Sequence, residues 1–84
     1  MSTSARATAV RFDEAQMWVD LEDGRTLGIP LVWFPRLLHG TVAQRGNFFL
    51  SPSGIHWDEL DEDISIAGLL AGRKDRTKPG KLAA

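Results

Sequence analysis

Residues 58–63 carry five of the chain's eleven carboxylates, Asp58, Glu59, Asp61, Glu62 and Asp63, directly after His56 and Trp57. Two chemistries draw on such a cluster. Oxygen-rich sites hold hard cations such as Ca²⁺ and Mg²⁺. A histidine beside a carboxylate can shuttle protons or join a transition-metal site. The spacing fits neither. A calcium loop begun at Asp61 has Asp63 and Ser65 at its third and fifth positions. It then has Ile66 where a glycine must turn the chain, and Gly72 where a bidentate glutamate must close the site. His56 and Asp58 are only a pair where transition metals use three or four ligands, and His39, the other histidine, lies in a different segment. Neither a metal nor a cofactor is expected.

Turn chemistry accounts for the cluster more simply. Asp58, Glu59 and Glu62 are expected to be solvated and available to a partner, while Asp61 or Asp63 accepts backbone amides in a tight turn. In a strand, His56 points away from the side shared by Ile55 and Trp57, and suits a structural hydrogen bond at a sheet edge.

Nucleophilic catalysis needs a Ser, Thr or Cys beside a base that is itself oriented. Ser51, Ser53 and Ser65 read as turn and cap residues, the chain has no Cys, and neither a Gly-x-Ser-x-Gly nor a phosphate-cradling Gly-rich motif occurs. A chain this small also has little room for a pocket of ~300 Å³ or more. The expectation is that the protein is not an enzyme.

Two other groups of residues are candidates for binding. Trp18 falls on the polar side of its segment with Asp20 and Glu22, and Trp33 precedes a helix start. Each is either a cover for the sheet or an anchor for a partner. The candidate partner-binding residues are therefore Trp18, Trp33, Asp58, Glu59 and Glu62. The second group is electrostatic. Residues 1–72 hold ten acidic and five basic side chains, whereas residues 73–84 hold Arg73, Lys74, Arg76, Lys78 and Lys81 against Asp75 alone. Those five cations are the candidate nucleic-acid contacts. The acidic body opposes that use, and no aromatic residue interleaves the tail to stack on bases.

The elements that must position these residues are legible from local pattern. Val10 and Phe12 flank Arg11 as in a strand. Met17, Val19 and Leu21 alternate with Trp18, Asp20 and Glu22, the period of a half-buried strand. Asp23-Gly24 signals a hairpin with a primed turn, and Leu27 and Ile29 continue the alternation. Pro35 starts a short helix that runs to His39, and Gly40 stops it. Thr41-x-x-Gln44 has the spacing of a capping box for about one further turn. Asn47 to Leu50 and Ile55 to Trp57 read as a short hairpin about the Ser51-Pro52-Ser53-Gly54 turn. A last helix over residues 66–71 is capped by Asp63 or Ser65.

These elements give an α+β fold: a small antiparallel sheet, formed by a three-stranded meander plus a short hairpin, with two short helices. The expected organisation is a flexible N-terminus (residues 1–6), one domain (7–72) and a basic, disordered tail (73–84). The expected core is Val10, Phe12, Val19, Leu21, Leu27, Ile29, Phe34, Leu37, Leu38, Ile55, Trp57, Leu60, Ile64, Leu69 and Leu70. No apolar run approaches the ~18 residues of a membrane span, and Met1 to Arg6 lacks the apolar stretch of a secretory signal. A cytoplasmic protein that does not enter a membrane is expected.

The run Ile55-His56-Trp57-x-x-Leu60-Asp61-Glu62-Asp63-Ile64-Ser65-Ile66-x-Gly68-Leu69-Leu70-x-Gly72 resembles a bacterial family known as domain of unknown function 2442. Leu21-x-Asp23-Gly24-Arg25, Ile29-Pro30-Leu31, Phe34-Pro35-Arg36-Leu37, Gln44-Arg45 and Asn47 follow the family's order, so the resemblance spans about residues 8–72. It implies a small bacterial protein with no catalytic residues to carry over. Some relatives continue into a helix-turn-helix domain, for which the tail here is too short. Others are encoded beside a second small protein, a layout similar to toxin–antitoxin pairs. The expected function is a non-enzymatic interaction module whose partner is a small protein encoded by the adjacent gene, or a second copy of the chain. The competing readings are a nucleic-acid-binding regulator acting through its tail and a metal-dependent enzyme built on His56 and Asp58 to Asp63.

Overall fold

The computed structural model describes residues 6–72. Strands β1 (Ala7–Phe12), β2 (Gln16–Leu21) and β3 (Thr26–Pro30) form an antiparallel meander in the order β1-β2-β3. A 3-10 turn at Leu31–Trp33 leads into helices α1 (Pro35–Leu38) and α2 (Val42–Gly46). Strands β4 (Phe49–Leu50), β5 (Gly54–Trp57) and β6 (Glu62–Ser65) form a second antiparallel sheet, and α3 (Ile66–Leu70) follows it. The fold is α+β, as the pattern predicts. Among the described residues it differs in detail: the meander and the hairpin strands form two separate sheets rather than one, the second sheet gains a third strand, and there are three short α-helices rather than two.

Local chemistry explains most boundaries. In β2, Met17, Val19 and Leu21 are buried and the residues between them are half-buried, so period-2 alternation sets the register. The β2–β3 loop is closed by Leu21 N–H to Arg25 C=O (2.8 Å) and Gly24 N–H to Leu21 C=O (3.0 Å). Gly24 has φ of +99°, while Glu22 and Asp23 keep negative φ. This is the three-residue loop with a left-handed glycine, not the primed turn expected from Asp23-Gly24. At the other end of β2, Asp13 Oδ1 accepts the amides of Ala15 (2.9 Å) and Gln16 (2.8 Å) and turns the chain from β1.

The capping box at α2 forms as its spacing requires. Thr41 Oγ1 accepts the Gln44 amide (3.0 Å), and Gln44 Oε1 accepts the Thr41 amide (2.9 Å). At α3 the cap is Ser65, whose Oγ accepts the Gly68 amide at 2.9 Å. Asp63 is not the cap, because it lies within β6. The segment 62–65 extends as a strand because Ile64 pairs with Ile55 across the sheet and Glu62 pairs with Trp57.

One core joins the inner faces of both sheets and the helices between them. Met17, Leu31, Leu37, Ile55 and Trp57 are its most completely buried large side chains. Of the expected core, Val10, Phe12, Leu27, Leu38 and Leu60 are half-buried at its margin, and Leu70 is exposed. Ala7, Met17, Leu31 and Ile66 are core residues absent from that expectation. No helix among the described residues is long and apolar enough to cross a membrane.

Candidate functional site

An open concavity runs beside β1. Val10 to Glu14 form one wall, and Val42, Arg45, Gly46 and Phe48 form the other, around an open cleft of about 620 Å³. The size corrects the expectation that so small a domain has little room for a pocket of ~300 Å³ or more. It arises because α2 stands off from β1: its Val42 is 82% exposed and its Arg45 is turned toward α1. Among the described residues β1 pairs only with β2, so its outer edge presents unpaired backbone N–H and C=O groups. A bulge at Thr8 shifts the β1–β2 register between Ala7 and Ala9, and pairing from Ala9 to Phe12 is regular alongside the cleft.

The acidic segment is a hairpin loop. Asp58 to Asp61 connect β5 to β6, the Asp61 amide donates to the Asp58 carbonyl (3.2 Å), and Asp61 takes a left-handed φ of +54°. The tight turn is therefore present. The backbone amides, however, are accepted by Asp13 and Asp23 elsewhere in the chain, not by Asp61 or Asp63. Asp58 and Glu59 are exposed, and Glu59 accepts from Gln44 Nε2 at 3.0 Å. Glu62 departs from the expectation of a solvated, partner-binding carboxylate. Its side chain is 6% exposed and pairs with Arg36 Nη1 at 3.4 Å, while the same Nη1 donates to the Asp61 carbonyl at 2.8 Å. The period-2 pairing with Trp57 turns Glu62 inward, and Arg36 supplies the counter-charge that makes burial tolerable.

The tryptophans divide by role. Trp18 is half-buried, and its Nε1 donates to Asp13 Oδ2 at 2.8 Å. Its ring covers Gly28 on β3, where a Cβ would meet the ring at 2.6 Å. Trp18 thus roofs the outer face of the meander. Trp33 is half-buried against the core. Trp57 is fully buried, as expected, and its Nε1 donates to the Arg45 carbonyl at 2.9 Å. Three carboxylates of the meander are held below their ordinary pKa of 3.8. Asp13 is lowered by the Trp18 indole and the two turn amides, Asp20 by Arg11 and Thr26, and Asp23 by the side chain and amide of Arg25.

His56 does not partner Asp58. Its Nδ1 lies 2.7 Å from Asp63 Oδ1, across the β5–β6 pair, and its Nε2 lies 2.7 Å from Ser51 Oγ. Phe49, its neighbour on β4, stacks on the ring with centroids 4.9 Å apart. Ser51 also accepts the Gly54 amide at 3.1 Å. The expected structural hydrogen bond is present, and Ser51, His56 and Asp63 form one hydrogen-bonded chain through the imidazole. The sequence spacing conceals this, because the three residues come from β4's end, β5 and β6. Among the described residues no group of three or more His, Cys, Asp or Glu is placed to hold a metal ion. The five tail cations, Arg73, Lys74, Arg76, Lys78 and Lys81, lie outside the described residues.

Fold and surface together define a small α+β domain of two antiparallel three-stranded sheets with an open edge beside a cleft. Residues 7–75 match the family described as protein of unknown function (DUF2442), and the chain belongs to that family. A similar solved structure is that of a protein of unknown function from Rhodospirillum rubrum. It is 30% identical, with a TM-score of 0.77 over 96% of this chain and 100% of that one. No curated protein matches the chain.

Proposed function

We propose that this chain is a protein-interaction module that takes an extended segment of a small partner protein along the outer edge of β1. The observation that carries this reading is the cleft itself, which lies against that edge. Strand addition to a sheet edge draws affinity from backbone hydrogen bonds and specificity from pockets for alternate side chains. Here the edge supplies the backbone groups, and Val10, Phe12, Val42 and Phe48 supply apolar lining, with Arg11, Asp13 and Glu14 at the rim. In this reading the domain is the antidote half of a two-gene, toxin–antitoxin-type pair, and its partner is the product of the adjacent gene.

Co-expression of the tagged chain with that product tests the proposal. The partner is expected to co-purify with the wild type and to be lost with Val42→Glu. Val42 is almost fully solvent-exposed at the first turn of α2, where a carboxylate suits the helix end, so this variant keeps its fold. Failure to co-purify at low salt, or unchanged capture by Val42→Glu, overturns it.

A further inference from the structure

The residues around His56 form a locus that shares no residue with the cleft. A carboxylate only accepts hydrogen bonds, so the contact at Asp63 places the His56 proton on Nδ1. In the neutral ring Nε2 is then an acceptor, and the Ser51 hydroxyl at 2.7 Å is the donor that meets it. The alternative acceptor for that hydroxyl, the Gly54 carbonyl, is at 3.5 Å and competes poorly. The ring is held by both nitrogens and by the stacked Phe49, so its position is set before any ligand arrives. This is the order nucleophile, base, orienting group that nucleophilic catalysis requires.

We propose that Ser51 is an activated nucleophile that accepts the acyl group of small, activated esters, with His56 as its base and Asp63 as the positioning residue. In the first step Ser51 Oγ bonds to the ester carbonyl carbon while its proton passes to His56 Nε2. The tetrahedral adduct then expels the alcohol, which takes the proton back from Nε2, leaving an acyl-serine. Water repeats the sequence: His56 removes its proton, the acyl–Oγ bond breaks, and Ser51 recovers its proton as the carboxylic acid leaves. The Gly54 amide donates to Ser51 Oγ at 3.1 Å, which fixes the oxygen beside the imidazole while its proton faces Nε2. The substrate class follows from the surroundings. The site is open, with the His56 side chain 24% and that of Asp63 75% exposed, and Phe49 offers an exposed aromatic face beside the ring. Short acids esterified to aryl leaving groups fit that shape. An exposed carboxylate orients its histidine less strongly than the buried one of a hydrolase triad, so Asp63 contributes less than His56.

The full chain treated with p-nitrophenyl acetate provides the test. Peptide mapping of the wild type by mass spectrometry is expected to place the acetyl group on Ser51, a result that depends on no variant. His56→Gln is expected to slow Ser51 acetylation by roughly 100-fold or more, in line with general-base contributions. Asp63→Asn is expected to slow it by about 10-fold, well short of the ~10⁴ lost with a buried triad aspartate. Circular dichroism confirms that each variant remains folded. Acetyl groups found on lysines or the N-terminus with none on Ser51, or an unchanged Ser51 rate in His56→Gln, overturn the proposal. An unchanged rate in Asp63→Asn overturns the positioning role.

Discussion

The indole N–H of Trp57 donates to the backbone carbonyl of Arg45 at 2.9 Å, and the Arg45 guanidinium passes the connection to α1 through the carbonyls of Leu37 (2.7 Å) and Leu38 (2.8 Å). Those carbonyls belong to the last turn of a four-residue helix, where intrahelical donors run out. One residue therefore closes α1 with its side chain and receives the central strand of the second sheet with its backbone carbonyl.

Arg45→Ala is expected to destabilise the domain by about 2 kcal/mol, the scale for charge-assisted hydrogen bonds to partly buried carbonyls. Arg45→Lys is expected to recover only part of that loss, because an ammonium cannot reproduce the planar fork. Trp57→Phe is expected to cost about 2 kcal/mol through a lost donor and lost volume. Urea unfolding followed by circular dichroism measures all three.

The Arg36–Glu62 pair is asymmetric: the arginine side chain is 43% exposed and the glutamate 6%. Removing the arginine leaves a buried carboxylate without that cation, whereas neutralising the glutamate leaves a cation that water can reach. Arg36→Met is thus expected to cost about 3 kcal/mol and Glu62→Gln about 1 kcal/mol or less. Equal losses in denaturant titrations of the two variants contradict this account.

Two glycines are close approaches of different hardness. A Cβ at Gly28 meets the Trp18 ring at 2.6 Å, and a Cβ at Gly54 meets the Ile64 carbonyl oxygen at 2.5 Å. The ring is half-buried and can swing outward, but the carbonyl belongs to the neighbouring strand. Gly28→Ala is expected to cost about 1 kcal/mol, and Gly54→Ala about 3 kcal/mol or more, in thermal or denaturant unfolding.

Acid stability should follow the meander's aspartates. A carboxyl group with a folded pKa below its unfolded value stabilises the fold above the unfolded pKa, and that stabilisation disappears as pH falls through the folded one. Asp13, Asp20 and Asp23 are all lowered from 3.8, so their contribution is complete well above pH 3.8 and is lost progressively below it. Asp13→Asn is expected to flatten the acid limb of a plot of unfolding midpoint against pH. These groups are solvent-exposed, so added salt shrinks the contribution of the ion pairs at Asp20 and Asp23 more than that of the hydrogen-bonded Asp13.

Much of the framework was legible because it depends on residues close in sequence. Alternation at Met17, Val19 and Leu21, the capping box at Thr41 and Gln44, and the proline start of α1 are interactions over a few positions. The third strand of the second sheet was less legible. Asp63-Ile64-Ser65-Ile66 carries cap residues for a helix as readily as strand alternation, and only pairing with β5 distinguishes them. Alternation places Met17 on the same side of β2 as Val19 and Leu21, but its complete burial depends on the opposing sheet.

By itself the sequence determined the α+β class, the meander, the positions of most turns and caps, and the family. Local spacing governs each of these. Tertiary structure decided what the chemical groups do. Glu62 is buried because its strand register opposes it to Trp57 and Arg36 reaches across from α1. Ser51, His56 and Asp63 meet because three strands lie side by side. The cleft lies between β1 and the segment 42–48, which are far apart in sequence. Each depends on groups brought together by packing and register, which local spacing does not encode.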